Sequence, residues 1–454
     1  MTPTAAVASK KKQRRSWYMY DFGNSAYAAV VLLAVYSKYF KDVVVADPTG
    51  AAGTRYWSWA LGIAMLVVAF LSPILGAIAD YAGTKKRFLL LFTTICCVFT
   101  AALFFVTENA ILAGMALFIL AEIGYRSAQV YYNSLLPEIA SEDEVGRVSG
   151  NGWAIGSAGG VVCLVIVLAM IMVIGGDDPS RKLLMTRLSF AITALYFALF
   201  SIPIFLRLRE RPAIGKLPRG TTLLKLPFQR IAETFRAVRT YREFGKFIIA
   251  FLVYNDGILM MLGFAAILGT VLFGMGTEQM IVFMILVQLA SIPGAFVMGW
   301  VTDRLGARGA LLLSLAGMLT SVLWLYLAAS VLAFYLIGVL AGFSLTGAQS
   351  VSRAMVSLLA PKGRSAEFYG FFAVAGRTSS SIGPFVFGVI AYRVTQWLQN
   401  RTGEELTQQA LDLAAQQGHR IAVLAIAVFL LVGALLLLFV NEKAGRKLAN
   451  SAHP

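Results

Sequence analysis

A chain of 454 residues that is 58% hydrophobic and 14% charged has more apolar surface than a water-soluble fold of this length can hide. Its net charge of +16 resembles that of a nucleic-acid binder, but the basic residues sit in the gaps between apolar runs, which excludes nucleic acid as partner and points to membrane topology. Cys96, Cys97 and Cys163 lie inside apolar runs, free and packed, while His419 and His453 lie outside them, against a histidine proton relay or metal site.

Residues 1–16 form a polar basic arm, with Lys10, Lys11, Lys12, Arg14 and Arg15. It has the look of a signal-peptide n-region, yet the next run holds Asp21 and Asn24 and no small-residue cleavage site, so an uncleaved first helix is expected. Apolar runs of spanning length follow at 17–40, 57–79, 87–107, 110–135, 148–174, 187–206, 245–273, 278–301, 309–330, 332–357, 367–392 and 420–440. Twelve spans leave both ends on one side. Of the 39 Lys and Arg, twenty-seven fall on that side, nine on the other, and Arg126, Arg353 and Arg377 within spans, which puts both termini in the cytoplasm.

The chain divides into an arm (1–16), a six-helix half (17–206), a cytoplasmic linker (207–244), a second six-helix half (245–440) and a tail (441–454). The linker carries an amphipathic stretch from Phe228 to Val238, expected to lie on the inner leaflet and contact lipid. Residues 393–419 are the longest outer connection, with a polar helix expected over Thr402 to Gln417 and no function assigned.

One pattern occurs in both halves. Gly76, Asp80, Gly83 and Arg87 follow the second span; Gly299, Asp303, Arg304, Gly306 and Arg308 follow the eighth. Each glycine lets backbones approach or turn, each acid can cap a helix or pair with a cation, and the basic residues hold the loop in the cytoplasm. Two copies in matching places mean a duplicated membrane unit, the organisation of transporters. These copies resemble the loop 2–3 and loop 8–9 signature of the major facilitator superfamily, where the loop latches the two halves on the cytoplasmic side. The second copy departs from it: Gly309 stands where a second basic residue is usual.

A charge held at mid-membrane costs about 2.5–3.5 kcal/mol, so intramembrane polar residues need a reason. Glu122, Arg126, Gln129 and Asn133 share one face of span 4, with the acid four residues before the base. The stripe faces either a wet cavity or neighbouring protein as a structural pair. Span 10 repeats the idea with Thr346, Gln349 and Arg353, though Arg353 is close enough to the cytoplasmic end to snorkel. In span 1, Tyr20, Asn24 and Tyr27 share a face; Asp21 lies only about a turn inside, where a gate or helix-end role competes with substrate contact. Span 7 echoes it with Tyr254, Asn255 and Asp256, the last being the best carboxylate of the second half for a cation or proton. In span 11, Arg377 either neutralises a substrate carboxylate or pairs with Asp256 or Glu122. Gly152, Gly156 and Gly160 make a smooth packing face on span 5. There is no metal-ligand cluster, phosphate-binding glycine loop or nucleophile with a base, so neither an enzyme nor a cofactor or metal is expected.

Three blocks carry a narrower resemblance: Tyr20 to Tyr27; Tyr132 and Asn133 through Pro137-Glu138, followed by Gly146 to Gly150; and Gln349 to Arg353 through Pro361 to Arg364, Glu367 to Gly370 and Gly383-Pro384. Together they resemble bacterial relatives of the autophagy-related vacuolar amino-acid effluxers, with Arg377 where that family is expected to favour lysine. The resemblance implies an all-α membrane protein of twelve helices in two pseudo-symmetric halves, each of 3+3 inverted repeats, with helices 1, 4, 7 and 10 lining a cavity. It implies a monomer rocking about a midplane site to move a small zwitterionic solute, with a proton or sodium ion as coupling partner; the topology, with no organellar transit signal visible, points to a bacterial inner membrane. The expected substrate-binding residues are Asn24, Tyr27, Glu122, Arg126, Gln129, Asn133, Tyr254, Asn255, Asp256, Gln349 and Arg377. The proton-coupling candidates are Glu122, Asp256 and Asp21. Gly76, Asp80, Gly83, Arg87, Asp303 and Arg304 are the expected cytoplasmic gate. A transporter of a sugar, peptide, drug or choline-like cation, and a non-transporting receptor or scaffold, remain the alternatives.

Overall fold

The computed structural model describes residues 3–46, 51–210, 241–378, 382–401 and 408–451. They are helical almost throughout, as a chain without water around its backbone must be. The helices are α1 (Pro3–Tyr27), α2 (Tyr36–Tyr39), α3 (Ala51–Ala82), α4 (Lys85–Ala102), α5 (Ile111–Ser134), α6 (Leu136–Ile139), α7 (Val145–Ala169) and α8 (Pro179–Arg207). After the linker come α9 (Arg242–Phe273), α10 (Thr277–Leu305), α11 (Ala307–Leu327), α12 (Val331–Leu359), α13 (Ser365–Thr378), α14 (Ile382–Arg401), α15 (Gln408–Leu438) and α16 (Glu442–Ser451).

All twelve expected spans coincide with helix. Among the described residues ten helices are long and apolar enough to cross a membrane, corresponding to spans 2 to 10 and 12. The first span changes to π-helical turns at Ala28–Ala34 and Phe40–Val45, and the described residues of the eleventh belong to α13 and α14.

Two sequence readings gain detail. The basic arm is helical and continuous with the first span: α1 begins at Pro3, because Lys, Gln and Arg are good helix formers and Arg14 is tied to Glu144 and to the Ile139 carbonyl. The outer connection 393–419 is largely helical: α14 runs to Arg401, and the part of the expected 402–417 helix that is described, 408–417, opens α15, while 402–407 lie outside the described residues. The amphipathic stretch 228–238 also lies outside them, as does His453.

The described residues fall into two compact units. The first takes in 3–210 together with Ala360–Val374, and the second 241–359 and 375–451. In the first, α1 packs on α7 and α8, and α4 on α5 and α8; in the second, α9 packs on α14 and α15, and α11 on α12 and α15. The same pairings therefore recur in chain order. Close approach depends on small residues: a Cβ at Gly159 of α7 would sit 2.1 Å from the Phe22 carbonyl oxygen, and one at Gly160 3.1 Å from that of Ser25.

Candidate substrate site and interhelical clasp

The polar face of α5 is built as its spacing predicts. Arg126 Nε donates to Glu122 Oε1 at 2.7 Å; the Glu122 side chain is fully buried and that of Arg126 is 33% exposed. The guanidinium lies 5.3 Å from the Tyr125 ring centre, and Tyr125 stacks on Tyr27 of α1 at 4.7 Å. Farther along, Gln129 Nε2 donates to Asn24 Oδ1 at 2.8 Å, and Asn133 is half-buried. Glu122 Oε2, the Tyr27 hydroxyl and Asn24 Nδ2 are buried with no well-formed hydrogen bond within the protein, the hydroxyl lying beside the Glu122 carboxyl. A buried polar atom left unpaired costs about 1–3 kcal/mol. An acceptor, a hydroxyl and an amide donor on two adjoining helices, beside a partly accessible guanidinium, have the chemistry to hold a small polar ligand.

Asp21 and Tyr20 point elsewhere. Asp21 is buried against α7, where a Cβ at Gly156 would meet its carboxyl carbon at 2.9 Å. The Tyr20 hydroxyl bonds Thr93 Oγ1 at 2.7 Å, and its ring stacks with Tyr132, which in turn stacks on Trp17.

In the second unit the polar residues are more fully spent. The Tyr254 hydroxyl bonds Ser352 Oγ at 2.7 Å. Gln349 Nε2 donates to Asn255 Oδ1 at 3.3 Å, and Asn255 Nδ2 donates to the Gly376 carbonyl at 3.2 Å. Asp256 accepts the Gly383 amide at 3.0 Å, which places a carboxylate at the start of α14. Arg353 is buried. Arg377 belongs to α13, and its side chain lies outside the described residues.

The loop motif of the first unit closes on residues 364–367. Gly83 turns the chain with φ +58°. Lys85 Nζ lies 3.1 Å from Asp80 Oδ1, 2.8 Å from Glu138 Oε1 and 2.8 Å from Ser365 Oγ. Ser365 Oγ donates to the Ser134 carbonyl at 2.9 Å, and Asp80 Oδ2 accepts the Glu367 amide, in the first turn of α13, at 2.8 Å. Arg364 grips both oxygens of Glu367 at 2.9 and 2.8 Å. Gly76 is where the Ala366 backbone passes: a Cβ there would lie 2.5 Å from its oxygen. Arg87 is exposed, and the ammonium inside the clasp is that of Lys85. In the second unit Asp303 is half-buried and Arg304 lies over the Trp300 ring at 4.0 Å.

Sequence reasoning did not single out Lys85, Glu138, Ser365 or Glu367 for this clasp. Glu138 was visible as an acid three residues past span 4 and Glu367 as the first residue of span 11, but nothing in spacing alone said that a lysine would join them.

The profile of the family described as vacuole effluxer Atg22 like matches residues 54–397. The MFS-type transporter YxiO of Bacillus subtilis (strain 168) is 28% identical over 434 residues, covering 95% of each chain. Autophagy-related protein 22 of Yarrowia lipolytica is 24% identical over 275 residues, covering 54% of this chain and 45% of the fungal protein. The solved structure of the proton:xylose symporter XylE superposes with a TM-score of 0.71 at 13% identity over 98% of both chains, which shows the fold. These relatives are transporters rather than enzymes, and the apolar helices are those of a multi-pass integral membrane protein. The chain belongs to the Atg22-like vacuole effluxer family, with the fold of a major facilitator superfamily transporter.

Proposed function

We propose that the protein is a secondary transporter that exports a small zwitterionic, amino-acid-like solute by alternating access of its two halves, coupled to protons. The observation that carries this reading is the Glu122–Arg126 pair on α5, with Glu122 Oε2, the Tyr27 hydroxyl and Asn24 Nδ2 buried beside it with no well-formed hydrogen bond. An acid and a base on one face match the two charges of a zwitterion. In this reading Arg126 takes the carboxylate, with Arg377 as the second candidate. Glu122 takes the ammonium or the coupling proton. Asp256 already accepts the Gly383 amide, which favours Glu122 over it for that role.

The clasp of Asp80, Lys85, Glu138 and residues 365–367 acts as the gate that closes the chain on one side. The excess of Lys and Arg on that side supports cytoplasmic termini, and the bacterial relative supports a bacterial inner membrane. The family's description as effluxers supports export.

A thermal-shift panel of amino acids, dipeptides, sugars and quaternary amines tests this on wild type, Glu122→Gln and Tyr27→Phe. A ligand bound only by the folded state stabilises it by about 2.7 kcal/mol at a hundred times its Kd. Amino acids are expected to shift the wild type, to lose most of that shift in Tyr27→Phe and to keep it in large part in Glu122→Gln, where the pH dependence of the shift is lost. A shift by sugars or quaternary amines alone overturns the zwitterion reading.

A further inference from the structure

In each unit one helix is held at both of its ends by a single neighbour, through side chains of opposite charge. In the first unit the held helix is α4 and the neighbour is α8. Glu210, three residues beyond α8, accepts the backbone amides of Lys85 and Lys86, the first two residues of α4, the latter at 3.3 Å. Lys86 Nζ reaches back to the Leu208 carbonyl at the end of α8, at 2.9 Å. At the other end of α4, Arg187 of α8 donates to the Phe104 carbonyl at 2.7 Å and lies 4.9 Å from its ring centre. In the second unit α11 and α15 repeat the arrangement. Glu442, the first residue of α16 and joined to α15 by the three residues 439–441, accepts the Arg308 amide at 2.9 Å in the first turn of α11. Arg420 of α15 donates to the carbonyls of Tyr326 and Ala328 at 2.8 and 2.7 Å, at the other end of α11.

The charges are placed as the helix macrodipole requires. The amide end of each held helix carries partial positive charge and meets a carboxylate, and the carbonyl end carries partial negative charge and meets a guanidinium. Four separate contacts with the right sign at the right end, in two units whose local sequences differ, are not a by-product of loop chemistry. The two units differ in one respect. The amide held by Glu210 belongs to Lys85, whose ammonium joins Asp80, Glu138 and Ser365 in the clasp. The amide held by Glu442 belongs to Arg308, and Glu442 is itself paired with Arg446 at 2.6 Å.

We propose that α8 and α15 are two-ended electrostatic clamps on α4 and α11, and that Glu210 is a positioning residue which sets where Lys85 stands in the clasp. The clamp makes α4 and α8 one rigid pair. A displacement of the end of α8 is then passed through Glu210 to the first turn of α4, and through Lys85 to Ser365 and residues 366–367. Glu442 makes α11 and α15 a rigid pair in the same way without carrying a gate residue. This inference rests on the gate reading of the clasp.

Backbone hydrogen exchange on the purified full chain tests it, read at two places: the first turn of α4 (residues 85–88) and the start of α13 (residues 365–369). Glu210→Ala is expected to speed exchange about tenfold or more at both, since each lost charge-assisted bond is worth roughly that factor. Glu210→Gln keeps one acceptor oxygen and is expected to have a smaller effect at both places. Glu442→Ala is expected to speed exchange at residues 307–310 and to leave 365–369 unchanged. If either Glu210 variant exposes 85–88 while 365–369 stay protected, the positioning role is wrong. If Arg187→Gln and Arg420→Gln leave exchange at the ends of α4 and α11 unchanged, the clamp is wrong. Asp80→Asn is the separate control for the gate reading: if it fails to expose 365–369, that reading falls, whatever Glu210 does.

Discussion

Gln129 Nε2 donates to Asn24 Oδ1 at 2.8 Å, joining α5 to α1, and Gln349 Nε2 donates to Asn255 Oδ1 at 3.3 Å, joining α12 to α9. The two amide pairs occupy matching places in the two units but end differently. Asn255 spends its amide on the Gly376 carbonyl, whereas Asn24 Nδ2 stays unpartnered and buried. Gln129→Leu therefore frees Asn24 to rotate away from the candidate site. The expected result is about a tenfold loss of ligand affinity, equal to one hydrogen bond of roughly 1.4 kcal/mol, with little change in the Tm of the unliganded protein. Gln349→Leu is expected to lower Tm and to change affinity less. Thermal-shift titrations of both variants check this.

Lys85 is buried among Asp80, Glu138 and Ser365. Removing the cation leaves two carboxylates facing each other away from water. Lys85→Met is expected to destabilise by about 3–5 kcal/mol, the usual cost of breaking a buried pair from one side. Adding Asp80→Asn and Glu138→Gln to that variant removes the stranded charges and should recover most of the loss. Denaturation of the three proteins in the same detergent decides the matter, and no recovery in the triple variant would contradict the assignment.

Glu144 precedes α7 and is held by the Arg14 guanidinium, which pulls its carboxyl down to about 2, with Ser141 assisting. A depressed carboxyl contributes stability that is complete above its ordinary range near 4.5 and is lost as pH falls through the folded value. The difference in Tm between wild type and Glu144→Gln is therefore expected to be constant from neutral pH to about 5 and to shrink toward zero near pH 2. The side chain is about a third exposed, so solvent screening keeps the effect small. A difference that grows on acidification would have the wrong sign.

Two glycines of α3 make a paired test of the clasp. A Cβ at Gly76 would stand 2.5 Å from the Ala366 oxygen, while one at Gly62 meets nothing within 4 Å. Gly62→Ala is expected to be neutral or to stabilise by up to about 1 kcal/mol, the helix-propensity gain. Gly76→Ala is expected to push residues 365–367 away from α3 and to cost about 1–3 kcal/mol. Exchange at the Glu367 amide separates displacement from a simple loss of stability.

The twelve spans were legible because each is an apolar run of membrane length, and the stripe on α5 because 3.6-residue spacing puts Glu122, Arg126, Gln129 and Asn133 on one face. The pairing of Asn24 with Gln129 was not legible, since the two residues lie 105 positions apart on different helices and helical spacing fixes a face but not the register between neighbours. The first span was harder than its apolar run suggested: the arm continues it as one helix, and π turns follow Tyr27. The clasp was half legible. The Asp80 and Gly76 positions repeat in the chain, but Lys85 replaces Arg87 at its centre because the side chain of the first residue of α4 points back toward Asp80, while Arg87 lies on the exposed face of the same turn. Asp256 looked like a free carboxylate for a cation until the start of α14 was found against it.

Transport in liposomes is the most direct test of the central claim. Purified wild type and Glu122→Gln would be reconstituted and loaded with a labelled neutral amino acid found by thermal shift, and efflux followed with and without a pH difference across the membrane. The account predicts that the wild type exports the amino acid and that a pH gradient drives it against its own gradient. It predicts that Glu122→Gln still exchanges amino acid for amino acid but no longer responds to pH. Export of sugars in place of amino acids, or a Glu122→Gln variant whose flux keeps the wild-type pH dependence, would contradict it.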